Sequence, residues 1–358
     1  MLPSAHNTLS EQSVRIFAID VGMGTQDVLI FDSSRNLENN PKLVLPSPTR
    51  ILAARVASIN GNVLLTGETM GGGPLAFALG EHLRRGYRVV MTPRAAMSVR
   101  DDLEQVKEMG IEVVQEEEAE KLNGFTRLRT GDIDFELFRS VLEQVGEPFS
   151  FDYFAAAVQD HGRAPKGKSD RIFRFEKIAE FVKRRRHVLE LGYESPPEYY
   201  TRMCAVRRLI EKETGAKPFI ADSKIAAIVG ALHGVEERPA ISIDVGNGHT
   251  LVALVDEDNR VAGFMEHHTA LLNREKLEQL VVRFAEGNLT NEEVYNDSGH
   301  GCVVREGFGI ENIRRIMVTG PNREMLRGSS LKVEFASPAG DVMMTGAVGL
   351  VDMVMHRR

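Results

Sequence analysis

The sequence predicts an α/β protein of two similar lobes that face a shared ligand. Three observations predict it. A segment near the start returns 224 residues later, strand-like and helix-like apolar patterns alternate along the chain, and 358 residues is length for about two domains. The repeat is the most informative. Ile19-Asp20-Val21-Gly22-Met23-Gly24 runs through Val28 to Asp32, and Ile243-Asp244-Val245-Gly246-Asn247-Gly248 runs through Val252 to Asp256. The two align without a gap, with 7 identities in 14 positions. Each reads as an apolar strand, an Asp, a Gly-rich turn and a second apolar strand.

The elements follow in order. The first hairpin covers about 14–32, and the polar stretch Asn36 to Pro48 reads as loop. Ile51–Ile59 and Val63–Thr66 read as strands around an Asn60-Gly61 hairpin turn. Gly71-Gly72-Gly73-Pro74 opens a helical pattern to Arg85; it is open whether the glycines meet a ligand or form a turn before a helix started by Pro74. Arg88–Thr92 and Ile111–Gln115 are strands around a helix at Val99–Met109, a βαβ-like alternation. Glu116 to Thr130 is charged and loop-rich, Phe135–Val145 helical, and Tyr153–Gln159 a strand ending in Asp160-His161-Gly162. The basic, Gly- and Pro-containing Arg163–Asp170 is the candidate domain linker. Helices at 172–190 and 198–214, a strand at Pro218–Ala221 and a helix at Ser223–Leu232 lead to the second hairpin and a third strand at Val261–His267. A helix at 273–286, a strand at Ile316–Thr319 and a last helix at Thr345–Met355 complete the pattern. The domain reading is a loose leader over 1–13, a first lobe over 14–165 plus 345–358, and a second lobe over 166–344.

Composition narrows the function classes. Hydrophobic residues at 42% and charged residues at 27% describe a globular chain with ample core, and a net charge of -7 argues against a nucleic-acid partner. The one dense basic run, Lys183 to His187, closes a helical pattern and reads as its solvated end. No apolar run approaches the ~18 residues of a membrane span, and residues 1–13 lack the apolar stretch of a signal peptide. Cys204 and Cys302 lie outside any C-x-x-C, so they read as reduced thiols of a cytoplasmic protein, with a cluster shared between subunits of a homodimer left open.

The candidate site residues gather at the turns. Asp20 and Asp244 end apolar strands, with glycines two and four residues on that bring backbone N–H groups close to an anion. A carboxylate beside phosphate makes sense with Mg²⁺ between them, which makes Asp20 and Asp244 the metal candidates. The phosphate candidates are Gly22, Gly24, Thr25 and Gln26 of the first turn, and Gly246, Asn247, Gly248, His249 and Thr250 of the second. Thr319-Gly320, at the end of a buried strand, offers a surface for adenine or ribose. Asp222 follows a strand and can cap the next helix or act as a base. Asp160 and His161 join an acid and an imidazole at a strand end, open between substrate, metal and a structural turn. His267 and His268 alternate onto opposite faces, so one metal cannot easily take both.

In this order, the hairpins, the Asp222 helix and the Thr319-Gly320 turn resemble the actin-like ATPase superfamily, which includes sugar and acetate kinases, heat-shock chaperone ATPases and actin. The segment 20–26 resembles its first phosphate motif, 244–250 its second, and 316–320 its adenosine motif, with Pro321 in place of the usual second glycine. Ala221 to Ala227 is similar to the segment of the repressor/sugar-kinase branch whose Asp is the catalytic base, but Ser223 and Lys224 depart from it. The resemblance implies two RNase H-like lobes around a nucleotide cleft, ATP and Mg²⁺ as cofactors, and phosphotransferase or ATPase activity. Asp222, Asp160 and Asp244 are then the catalytic candidates, and the phosphoryl acceptor is unnamed. The alternatives are a non-catalytic nucleotide-switched module and an ATP-dependent redox activator. Over its whole length the chain resembles a prokaryotic family labelled as related to pyruvate formate-lyase activating enzyme. Two cysteines 98 residues apart cannot supply the Cys-x-x-x-Cys-x-x-Cys cluster of the radical activating enzymes.

Overall fold

A computed structural model describes residues 13–358. The leader read over 1–13 therefore lies almost wholly outside the described residues. The chain begins with β1 (Arg15–Val21), β2 (Thr25–Asp32) and β3 (Lys42–Pro46), followed by α1 (Pro48–Ser58). An inserted unit follows: β4 (Val63–Gly67), α2 (Gly73–Arg84), β5 (Val89–Met91), α3 (Pro93–Ala96), α4 (Leu103–Glu108), β6 (Glu112–Val113), α5 (Glu116–Lys121) and β7 (Thr126–Thr130). Then come α6 (Phe135–Gln144), β8 (Tyr153–Val158), α7 (Asp170–Lys183), α8 (Thr201–Glu213), β9 (Lys217–Ala221) and α9 (Ser223–Ala231). The remainder is β10 (Ala240–Val245), β11 (His249–Val255), β12 (Val261–His268), α10 (Arg274–Ala285), α11 (Asn291–Asn296), β13 (Gly301–Val304), β14 (Arg315–Thr319), β15 (Val333–Phe335) and α12 (Thr345–His356).

Two sheets repeat one plan. The first has the order β3-β2-β1-β8-β9, the second β12-β11-β10-β14-β15 with β13 added beyond β12. In each, the first three strands form an antiparallel meander and the last two run parallel to the first. These are the two RNase H-like lobes that the repeat and the resemblance imply. The inserted unit is a separate four-stranded parallel sheet, β6-β5-β4-β7, with its own core around Leu65, Leu79 and Val106.

Both faces of β1 are covered, which is why it reads as an unbroken apolar run. Ile16 and Ala18 join a core under α9 and α12 that continues into the second lobe through Leu251 and Ala253. Phe17, Ile19 and Val21 pack against α6 and α8, with Phe17 stacked on Phe154. In β10, Ile241, Ile243 and Val245 face α10. The shared core fixes where the two hairpin turns can sit.

Three readings are corrected. Ile51–Ile59 is not a strand but most of α1, whose buried Thr49, Leu52 and Val56 share one helical face. Asn60-Gly61 therefore joins a helix to a strand. Asn36 to Pro48 contains β3, a partly exposed edge strand. The lobe boundary also moves. β9 pairs with β8, so the first sheet takes its last strand at Lys217–Ala221, while α7, which follows Arg163–Asp170, packs on β12 and β13 of the second sheet. The last helix packs on α9, β1 and β8, back on the first lobe. Among the described residues, no helix is long and apolar enough to cross a membrane.

Candidate nucleotide site

The two hairpin turns meet across a cleft of about 1700 Å³ between the lobes. Each turn is closed by the same backbone bond: Gly22 N–H donates to the Thr25 carbonyl at 2.9 Å, and Gly246 N–H to that of His249 at 3.1 Å. These two N–H groups are therefore spent on the turn. The anion-binding capacity expected of 22–25 and 246–250 falls to the tips. The tips adjoin: a Cβ on Gly24 would come within 3.1 Å of Asn247 Nδ2, and one on Gly248 within 3.2 Å of Met23 Cε.

The first turn is acidic and under-partnered. Cross-strand pairing sets Asp20 opposite Asp27, and both line the cleft. Oδ1 of each is shielded from solvent and has no hydrogen-bond partner. Burial, with the charge of Asp244 added, raises the Asp20 pKa to about 7 although the Ser223 hydroxyl lowers it. Burial beside Asp20 raises that of Asp27 to about 8 against the Thr25 hydroxyl, which donates to Oδ2 at 3.1 Å. Two carboxylates with orphaned oxygens in one cleft fit an oxygen-loving dication such as Mg²⁺. The wall behind them is tight, since any side chain on Gly346 would overlap Asp20.

The second turn is already neutralised. Leu251 stands opposite Asp244, and the Lys224 ammonium donates to Asp244 Oδ2 at 2.7 Å. A Cβ at 246 would displace that ammonium and lie 2.8 Å from the His249 carbonyl oxygen. Gly320, at φ +96°, packs against the other side of Asp244. Asn322 holds the turn from below, its Nδ2 donating to the Gly246 carbonyl at 3.0 Å. Of the two metal candidates, then, Asp20 has a free oxygen, whereas Asp244 has a cation in place.

Strand alternation removes two phosphate candidates. Thr25 and Asp27 face the cleft, so Gln26 faces away, and its Nε2 donates to the Pro46 carbonyl at 3.0 Å. Thr250 likewise bonds the Thr269 hydroxyl at 3.0 Å within the second lobe. Thr319 reaches the cleft wall, but its hydroxyl is bonded to that of Thr345 at 2.9 Å. The glycines 71–73 line the opposite wall.

The catalytic candidates are corrected more strongly. Asp222 caps α9, accepting from Lys224 N–H at 3.0 Å, and also accepts from Arg174 Nη1 at 2.7 Å and Nη2 at 3.2 Å. Arg174 is 1% exposed and also binds Glu266 of β12. Asp222 is thus committed to a buried ion network and is not placed on the cleft wall as a base. Asp160 does line the cleft, and burial raises its pKa to about 6, but its carboxylate accepts from the N–H groups of Gly162, Arg202 and Met203 and so holds the first turn of α8 from outside that helix.

Sequence reading misses Asp27, Arg174, Glu266 and His300. Only Asp27 leaves a local signal, an acid seven positions after Asp20 where the second hairpin has Leu251. Lys224 is visible only as a departure from a motif. His161 and His249 come together at the cleft, with Gln159 Nε2 3.0 Å from His249 Nδ1. His267 turns away toward Asp297, at 3.0 Å, while His268 packs beside His249, as alternation predicts.

A family profile described as "Putative pyruvate format-lyase activating enzyme (DUF1786)" matches residues 70–325. The chain belongs to this family. The match begins after β4, spans the rest of the inserted unit, the Asp160 and Asp222 loops and the second hairpin, and leaves out the first hairpin and α12. No curated protein matches the sequence. Among solved structures the chain is similar to the activator of 2-hydroxyisocaproyl-CoA dehydratase from Clostridium difficile with bound ADPNP, at 10% identity over 96% of each chain and a TM-score of 0.37. It is also similar to an inorganic polyphosphate/ATP-glucomannokinase from Arthrobacter sp. strain KM, at 11% identity over 96% of this chain and 99% of that one, TM-score 0.38. A third is component A of (R)-2-hydroxyglutaryl-CoA dehydratase from Acidaminococcus fermentans, at 12% identity over 97% and 100%, TM-score 0.34. These superpositions are loose and say nothing about the chemistry of this chain.

Proposed function

We propose that this cleft binds ATP with Mg²⁺ and transfers the terminal phosphoryl group to water. The observation that carries the reading is the pair of identically closed turns facing each other across the cleft, one with orphaned carboxylate oxygens and one with a lysine ammonium. Asp20 and Asp27 would hold Mg²⁺, which neutralises phosphate charge when bound. The tips at 23–24 and 247–248 would offer N–H groups to the phosphates, and Lys224 would add a positive charge beside the second turn. Arg100, Arg163 and Lys166 line the same cleft and supply further positive charge for a polyphosphate chain.

The choice of water over a sugar hydroxyl rests on Asp222. A base for a sugar hydroxyl must face the acceptor with a free oxygen, and here both oxygens are held by Arg174. The redox-activator alternative has little support from the thiols. Cys302 sits in the second-lobe core, where burial pushes its pKa up to about 12, which leaves Cys204 as the one thiol near a surface. A phosphate-release assay with Mg²⁺-ATP and no added acceptor tests the proposal. Steady release that Asp20→Asn lowers by about 100-fold or more supports it. Calorimetric ATP binding without release points instead to a nucleotide-controlled switch.

A further inference from the structure

Three histidines converge at the lobe boundary, two of them outside the phosphate-binding turns and the third, His249, at the end of the second turn. His161 follows β8 of the first lobe; His249 begins β11 and His300 precedes β13 in the second. One ring nitrogen from each lies within 4.8 Å of the other two. His249 and His300 have ring centroids 4.6 Å apart, and His161 is 6.1 and 6.0 Å from them. His161 and His249 line the cleft, which gives an entry path, while His300 is 2% exposed behind them.

His300 is the anomaly. Neither ring nitrogen makes a hydrogen bond although both are shielded from solvent. A buried imidazole without any partner costs stability and calls for an explanation. Its Nδ1 lies 3.2 Å from Glu266 Oε2, short of good hydrogen-bond geometry but placed for a carboxylate to orient the ring. Gln159 Nε2 lies 3.0 Å from His249 Nδ1; with the amide turned over, as metal binding through the other ring nitrogen requires, its Oε1 accepts from the Nδ1–H group. Each of these two rings is thus backed on one nitrogen, which leaves the other for a ligand, the usual outer-shell arrangement of metal-bound histidines. The charge balance agrees. The buried network behind the rings has Asp222 and Glu266 against the single guanidinium of Arg174, one carboxylate in excess.

We propose that His161, His249 and His300 bind one divalent first-row transition-metal ion that bridges the two lobes beside the second hairpin. Three imidazoles with an open side toward the cleft form the donor set of a three-coordinate protein site completed by water or a ligand, and imidazole suits zinc, iron, copper and nickel. Nitrogens bound at about 2.0–2.1 Å in a tetrahedral site stand roughly 3.3 Å apart. The widest separation must therefore shrink, and a small lobe closure or ring rotation at His161 achieves this. His249 belongs to the second turn, so metal and nucleotide share a residue. The site nevertheless stands on the imidazole geometry alone and does not depend on ATP turnover.

The test uses untagged full-length protein, stripped with chelator and titrated with Zn²⁺ alone, then with Co²⁺ for its visible absorption on nitrogen ligands. One tight Zn²⁺ per chain is expected, with a Co²⁺ spectrum that Zn²⁺ abolishes. His161→Ala and His300→Ala should each weaken binding by more than the ~10–100-fold that follows loss of an outer-shell partner, and Gln159→Ala by about that amount. His161 lies on a loop, so its variant keeps the test interpretable if the buried His300→Ala fails to fold. His233→Ala, just past the far end of α9, should bind as the parent does. No stoichiometric binding, or equal affinity in His161→Ala and the parent, would overturn the proposal.

Discussion

The two hairpins share a sequence, a turn closure and a place in their sheets, yet their electrostatics are opposite. The first sets Asp20 across from Asp27 and leaves an oxygen of each without a partner. The second sets Asp244 across from Leu251 and gives it the Lys224 ammonium. A duplicated strand–turn–strand thus supplies geometry twice, while one cross-strand residue and one lysine from another helix decide what each copy does. The first copy needs a cation and the second carries its own.

The same substitution should separate them most sharply. Asp244→Asn leaves Lys224 without its buried partner and is expected to cost about 3–5 kcal/mol of stability, read by denaturant unfolding. Lys224→Met added to Asp244→Asn should recover most of that loss but not phosphate release. Asp20→Asn removes a buried carboxylate that has one oxygen without a partner, so it should leave the metal-free protein as stable as before or more so, while turnover falls by about 100-fold or more. Equal stability losses from the two Asp→Asn changes would erase the distinction between the hairpins.

Packing gives the next contrast. Gly346→Ala drives a methyl into Asp20 and should cost about 1–3 kcal/mol, with a loss of Mg²⁺-dependent nucleotide affinity. In Gly22→Ala the nearest atom is the Thr25 carbonyl oxygen at 3.4 Å, so calorimetry should show little change in either quantity.

A pH series sharpens the comparison further. Asp20 and Asp27 have folded pKa values of about 7 and about 8, above the ~3.9 of an unfolded Asp. Between pH 4 and 8 the folded metal-free protein therefore binds more protons than the unfolded chain. The contribution of these groups to stability is fully present below about pH 4 and is lost as pH rises through 7 and 8. Burial sets most of the effect, and the charged groups that face the pair, Asp244, Lys224, Asp222 and Asp341, adjust it. Asp27→Asn should flatten the decline, and Mg²⁺ should reverse it, both visible in thermal melts.

Much of this is legible because it is local. An apolar strand ending in Asp and Gly is visible in fourteen residues, and so is an Asp before a helix. Where the signal misleads, two periods compete. Ile51–Ile59 begins and ends on isoleucine and precedes Asn-Gly, but Ser47-Pro48 is a helix start, and Leu52 and Val56 are spaced four apart. β3 is hidden because a short edge strand between Lys42 and Pro46 does not alternate cleanly. The site escapes a sequence reading where partners come from afar. Asp222 reads as a base until Arg174, 48 residues earlier, is found on it, and nothing near His300 announces its neighbours.

The most direct measurement is the position of Mn²⁺, substituted for Mg²⁺, in crystals with a non-hydrolysable ATP analogue, located by anomalous scattering. The account predicts the ion on Asp20 and Asp27, the phosphates between the two turn tips, and Lys224 still on Asp244. An ion on Asp244 with Lys224 displaced, or phosphates outside the space between the turns, would contradict it.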